Sequence, residues 1–249
     1  MTKNPFSLEG KRVLITGASS GIGKVIAVEC ASIGADVVIT GRDESRLNST
    51  FLSLPQGNHG QIVADFQKSD DISKLVEALP KLDGIVHCAG VVKTIPFSFM
   101  DVNDLNFVLN INFTVPVVLS SLSLKMKKLI KGASIVFISS ISGVYCSFIG
   151  NSLYSGSKGA VNGIVKGMAL DLASKDIRVN SITPGMIDTD FIRGGIISDE
   201  QIQIDKKKYP LKRYGRPEEV AYAAIYLLSD ASKWITGSNL LIDGGYTLN

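Results

Sequence analysis

The feature that most constrains this chain is an alternation. Short apolar, β-branched runs recur along it: "RVLIT" (12–16), "DVVIT" (36–40), "QIVAD" (61–65), "GIVHC" (84–88), "SIVFIS" (134–139), "IRVNSI" (177–182) and "NLLID" (239–243). Between them lie longer segments with helical spacing of apolar residues, over 23–34, 43–54, about 70–79, 101–131 with a break near Pro116, 153–175 and 217–228. Strands that are apolar almost throughout belong in a parallel sheet covered on both faces. Strand–helix alternation then predicts an α/β doubly wound fold of about seven strands joined by right-handed crossovers. No linker or low-complexity segment interrupts the pattern, so residues 1–249 read as one domain. The one long irregular stretch is 184–215, a length that marks a functional loop.

Two readings compete for "ITGASSGIGKV" (15–25). Residues 17–21 spell G-x-S-x-G, a hydrolase nucleophile elbow with Ser19 as nucleophile. That reading needs a histidine late in the chain, and the two histidines are His59 and His87. The alternative is a phosphate cradle. Gly17, Gly21 and Gly23 let the backbone turn and approach a ligand, and the N-terminus of the following helix favours negative charge.

Tyr154 and Lys158 stand four apart in "YSGSK" and share one helix face. They follow Ser139, Ser140 and Ser142 at the predicted C-terminal end of a central strand, where open α/β sheets bind ligands. The chain resembles the short-chain dehydrogenase/reductase family through "TGASSGIG" (16–23), Asn112, Ser140, Tyr154, Lys158 and "PGMIDT" (184–189). "GRPEEVA" (215–221) and "ITGSNLLIDGG" (235–245) are similar as well. The resemblance covers nearly the whole chain. It implies a Rossmann-type fold and a nicotinamide-dependent oxidoreductase that interconverts a carbonyl and a secondary alcohol.

The same resemblance implies roles. Tyr154 is the proton donor, Ser140 polarises the substrate oxygen, Lys158 holds the nicotinamide ribose and lowers the tyrosine pKa from about 10, and Asn112 holds a water in a relay to the lysine. The cofactor is implied to lie on Gly17, Ser19, Ser20, Gly21, Ile22 and Gly23, with Asp65 at its adenine. Ala89, Gly90, Pro184 and Gly185 pack beside it, and Ile187 and Thr189 lie beside the nicotinamide amide. Cys88, in "HCAG" (87–90), replaces an amide common in the family and reads as a buried structural thiol, as His87 reads structural.

The end of the second strand selects the cofactor. An acidic residue there binds the ribose of NAD, whereas an Arg suits the 2′-phosphate of NADP. Here the residues are Gly41-Arg42, so NADP(H) is expected over NAD(H), with Arg42 and Ser19 or Ser20 at the phosphate.

Within the family the chain resembles bacterial 3-oxoacyl-[acyl-carrier-protein] reductases, which implies a carrier-bound acyl chain. Keto-sugar, polyol and general carbonyl reductases share the same motifs. A non-catalytic NADP-binding regulator is the reading from another class. Residues 190–214, with Phe191, Ile196 and Ile197, should cover the substrate. Lys206, Lys207 and Lys208 form either a solvated face or a lure for an acidic substrate or carrier protein, and Lys125, Lys127, Lys128, Lys131 and Lys175 are placed near the entrance or on a helix surface.

The net charge of +3 argues against nucleic acid or a membrane surface as partner. No apolar run reaches the length of a membrane span. Three cysteines and two histidines suggest neither a disulfide framework nor a metal site, and fit a reducing cytoplasm. The family resemblance further implies a homotetramer, built through the long helices and the C-terminal strand, where Val117, Val118, Val161 and Ile164 serve either an interface or the core.

Overall fold

The computed structural model describes residues 4–189 and 198–248. Its seven strands are β1 (Arg12–Thr16), β2 (Asp36–Gly41), β3 (Gly60–Val63), β4 (Leu82–His87), β5 (Leu129–Ile138), β6 (Arg178–Pro184) and β7 (Asn239–Ile242). They form one sheet in the order β3-β2-β1-β4-β5-β6-β7, parallel at every pairing. This is the Rossmann-type α/β arrangement. The order reverses between β1 and β4, which opens a crevice at the C-terminal ends of those strands.

Alternate strand residues feed two cores. Val13, Ile15, Val37, Ile39 and Val136 pack under α1 (Gly21–Ser32), α2 (Glu44–Leu52) and the late helix Pro217–Leu228. Leu14, Val38, Ile85, Ile135 and Phe137 face α3 (Ser69–Ala78), α5 (Val115–Lys125) and α6 (Ser152–Leu172). Each fully buried Leu, Ile or Phe stabilises the fold by about 1.5–3 kcal/mol.

Between β4 and β5 the chain runs through α4 (Val102–Leu109), a π turn (Asn110–Thr114) and α5. The expected break near Pro116 takes this form. Proline lies in the first turn of α5, where a missing N–H costs little, and the wide turn precedes it. The helical segment ends at Lys125, short of the expected 131, because Lys127 takes a left-handed φ of 56° and turns the chain into β5. By length and composition Val102–Lys125 is apolar enough to cross a membrane, which the run-length reading did not anticipate; 44% of its most apolar window is buried inside the molecule.

Within 184–215, α7 (Asp199–Lys206) is a regular helix, started by a capping box between Ser198 and Gln201. The late helix Pro217–Leu228 is α8. Phe191, Ile196 and Ile197 lie outside the described residues. Cys30, Cys88 and Cys146 are free thiols.

Candidate active site

A cleft of about 1020 Å³ runs along the C-terminal ends of β1, β2, β4, β5 and β6. Every residue expected at the site lines it except Gly23 and Asn112, which lie immediately behind its wall.

The glycine loop forms one end. Gly17 has φ 68° and Gly21 has φ 54°, conformations that L side chains rarely adopt. A Cβ on Gly17 would fall 2.7 Å from the Ala89 Cα, and one on Gly23 would fall 2.4 Å from the Gly17 carbonyl oxygen. Only glycine permits this closeness of loop, helix and β4. Ser20 begins α1 without a side-chain cap, and the first turn holds no acidic residue. Its free N–H groups therefore point at the cleft, as a bound phosphate requires. Thr16, given no role of its own in the sequence, accepts hydrogen bonds at Oγ1 from the N–H groups of Cys88 and Ala89, both at 3.1 Å. It ties the ends of β1 and β4 together beneath the loop.

Gly41 faces this loop. A Cβ there would lie 3.2 Å from Ser19 Oγ, so any larger side chain would crowd the serine. Arg42 follows, exposed at the cleft edge. Asp43 caps α2 and is bonded by Arg46, at 2.9 Å from its N and 2.8 Å from its Nε. The neighbouring carboxylate is thus occupied by Arg46 rather than Arg42. Arg46 also lines the cleft, a residue that sequence reading passed over because its distance from the loop depends on the turn into α2. Asp65 accepts the Gln67 N–H at 3.1 Å and edges the same end. Across the cleft, a Cβ on Gly21 would meet Thr189 Cγ2 at 3.9 Å.

The reactive groups lie at mid-cleft. Tyr154 and Lys158 are on α6, one turn apart, and Ser140 follows β5. The Tyr154 and Ser140 side chains are neighbours in the cleft wall, close enough for Ser140 to act on the phenol as a hydrogen-bond donor. Ser140 Oγ also accepts the Ser142 backbone N–H at 3.1 Å, leaving its proton to donate toward Tyr154 or a substrate oxygen. Ser139 points away, bonded to the Lys158 carbonyl and to Asn162.

Burial raises the Tyr154 pKa, and the Ser140 hydrogen bond opposes that rise. The residue is therefore a neutral acid at pH 7 in the ligand-free protein. Lys158 is buried, and burial pulls its pKa down to about 8. Its Nζ donates to the Ile138 carbonyl at 2.7 Å and sits 5.7 Å from the Tyr154 ring centroid. Ser140 is the neighbour that opposes the rise in the tyrosine pKa here.

Asn112 is buried in the π turn. Its Oδ1 accepts the Val91 N–H at 2.8 Å, while its Nδ2 donates to the Val91 carbonyl at 2.9 Å and to Ser157 Oγ at 3.0 Å. The side chain pins the β4 exit loop to α6. Cys88 lines the cleft, and burial raises its thiol pKa to about 12.

The basic residues are less engaged with the cleft. Lys208 pairs with Asp205 at 2.9 Å, and Lys206 lies over the Tyr214 ring. Lys127, Lys131 and Lys175 surround a pocket at the N-terminal ends of β5 and β6, the edge opposite the active-site entrance. Lys131 pairs there with Asp176, and Lys128 donates to the Glu77 and Leu79 carbonyls.

A family model described as enoyl-(acyl carrier protein) reductase matches residues 17–247. Glucose 1-dehydrogenase of Gluconobacter oxydans is 36% identical over 96% of this chain and 92% of its own length. The 3-oxoacyl-[acyl-carrier-protein] reductase of Rickettsia bellii is 34% identical over 96% and 98%. Among solved structures, a putative short-chain alcohol dehydrogenase from Sinorhizobium meliloti superposes with a TM-score of 0.90 at 29% identity, covering 99% of this chain and all (100%) of that one. A Serratia marcescens short-chain dehydrogenase/reductase gives 0.89 at 30% identity, over 98% and 100%. With a cleft whose glycine cradle fits a nicotinamide cofactor, and with these relatives, the chain belongs to the short-chain dehydrogenase/reductase family of oxidoreductases.

Proposed function

We propose that this chain is a single-domain, NADP(H)-dependent reductase that converts a carbonyl to a secondary alcohol. The observation that carries the reading is the grouping of Ser140, Tyr154 and buried Lys158 in the same cleft as the uncapped start of α1. When bound, the reduced cofactor supplies a hydride, two electrons and one hydrogen, to the carbonyl carbon. Ser140 donates a hydrogen bond to the carbonyl oxygen, where negative charge develops. Tyr154 gives that oxygen its phenolic proton and completes the alcohol. Lys158, mostly charged at pH 7, stabilises the resulting phenolate until a proton returns. Both ends of the Asn112 amide are committed, so a relay water held by Asn112 sits on its main-chain carbonyl. That carbonyl belongs to a π turn, an irregularity frequent at functional sites.

The cofactor is held by Gly17, Ser19, Ser20, Gly21 and Ile22 at its phosphates, with Gly23 closing the turn. Asp65 lies at the adenine, Ala89, Gly90, Pro184 and Gly185 pack beside the cofactor, and Ile187 and Thr189 lie at the nicotinamide. Gly41 and the unengaged Arg42 favour the 2′-phosphate, with Arg46 in reserve. We predict a kcat/KM for NADPH at least tenfold above that for NADH, and a selective loss of NADPH use in Arg42→Ala, on the order of 1.5–3 kcal/mol for a charged hydrogen bond. A clear NADH preference would refute the assignment.

Relatives named as 3-oxoacyl-[acyl-carrier-protein] reductases support an acyl chain on a carrier as one substrate, and a glucose 1-dehydrogenase supports a sugar as the second reading. The intact Tyr154–Lys158 pair argues against a non-catalytic regulator. The three free thiols support a cytoplasmic setting, and the exposed faces of α5 and α6 support a homotetramer.

A further inference from the structure

The two ends of the cleft differ in chemistry. The cofactor end carries Arg42, Arg46 and Asp65. Beyond Ser140 and Tyr154 the wall is mainly Val92, Ile141, Phe148, Met186 and Tyr209, with the polar side chains of Thr94, Ser142 and Asn151 among them. Among the described residues that line the cleft, Lys158 is the only charged side chain outside the cofactor end, and its ammonium is bonded to Ile138.

The aromatic wall is braced from behind. Phe148 lies 6.3 Å from Tyr246, which lies 4.8 Å from Tyr209, which meets Tyr214 edge-on at 5.6 Å. Rings packed this way present a fixed apolar surface. The polar side chains there are few beside this apolar area. Tyr209 Oη accepts the Met186 N–H at 3.2 Å, and Asn151 Oδ1 is buried in the wall without a partner. A polyol entering here would lose water from several hydroxyls and find few replacements, and a carboxylate would find no free cation among the described residues that line it. An apolar body meets neither penalty. The apolar surface continues outward through Tyr145 and Ile149, on a loop held to the β4 exit by the Ile95 N–H to Gly150 carbonyl bond at 2.9 Å.

We propose that the substrate is a neutral ketone or aldehyde with an apolar or aromatic body, selected by Phe148 and Tyr209 against polyols and keto acids. The inference rests on the carbonyl-reductase reading above.

The test compares 4-phenyl-2-butanone, ethyl acetoacetate, acetoacetate and fructose. Two quantities are read: kcat/KM with NADPH, and equilibrium binding to the NADPH-loaded Tyr154→Phe protein. The two neutral apolar carbonyls should exceed the keto acid and the sugar by at least about tenfold in both. Phe148→Ala should narrow that gap about tenfold through KM, with kcat and NADPH affinity nearly unchanged. Equal or tighter binding of acetoacetate or fructose overturns the proposal. The predicted binding order without NADPH oxidation supports it and overturns the catalytic reading instead.

Discussion

His87 carries a consequence that does not depend on catalysis. Its ring is buried, stacked on Phe137 at 4.7 Å, with Nε2 at 2.8 Å from Ser120 Oγ. Burial disfavours the imidazolium and pulls the pKa down from 6.5 to about 3. Between those two values the unfolded chain binds more protons than the folded one, so stability rises with pH. The contribution is complete above pH 6.5 and is lost progressively toward pH 3, on the order of 3–5 kcal/mol in all. Urea melts from pH 7 to pH 4 should show a steep loss in the wild type and a shallower one in His87→Gln. Equal slopes would contradict this account of the residue. Its structural role was legible because a lone histidine in an apolar strand has nothing near it in sequence to act with. The Ser142 N–H that orients Ser140 was not legible, since a backbone donor in a loop leaves no residue-type signal.

At the scale of elements, the seven strands were legible because a covered parallel strand is apolar nearly throughout. Boundaries were not. "LIKG" at the start of β5 reads equally well as a helix tail, and the left-handed Lys127 that separates the two has no glycine to announce it. α7 escaped notice because it buries no described residue and so lacks an apolar face. Its capping box was the available signal. The exposed faces of α5 and α6 carry their own prediction. Val161, a candidate contact, belongs to the core, whereas Val118 is exposed and Leu170 is 81% exposed. A Cβ on Gly156, Gly163 or Gly167 would meet nothing within 4 Å, which leaves α6 a flat surface for a second copy. Light scattering should give about four times the 26.7 kDa chain mass. Leu170→Asp should reduce it, and a monomeric wild type would contradict the tetramer.

At the scale of the whole molecule, the sheet order decides which distant residues can act together. Residue 17 and residue 189 meet across one cleft because β1 is central and the order reverses beside it. The string "TGASSGIG" alone left a hydrolase and a cofactor cradle both open. The uncapped start of α1 and the place of Tyr154 further along the same cleft favour the cradle. Tyr154, neutral at pH 7, is assigned to deliver the proton, so its hydroxyl is the atom whose removal matters most. The direct measurement is the rate of NADPH oxidation by wild type and Tyr154→Phe with the best ketone, alongside NADPH affinity of both. We predict a fall of about a thousandfold in kcat for Tyr154→Phe with NADPH affinity nearly unchanged; equal rates in the two proteins would contradict Tyr154 as the proton donor.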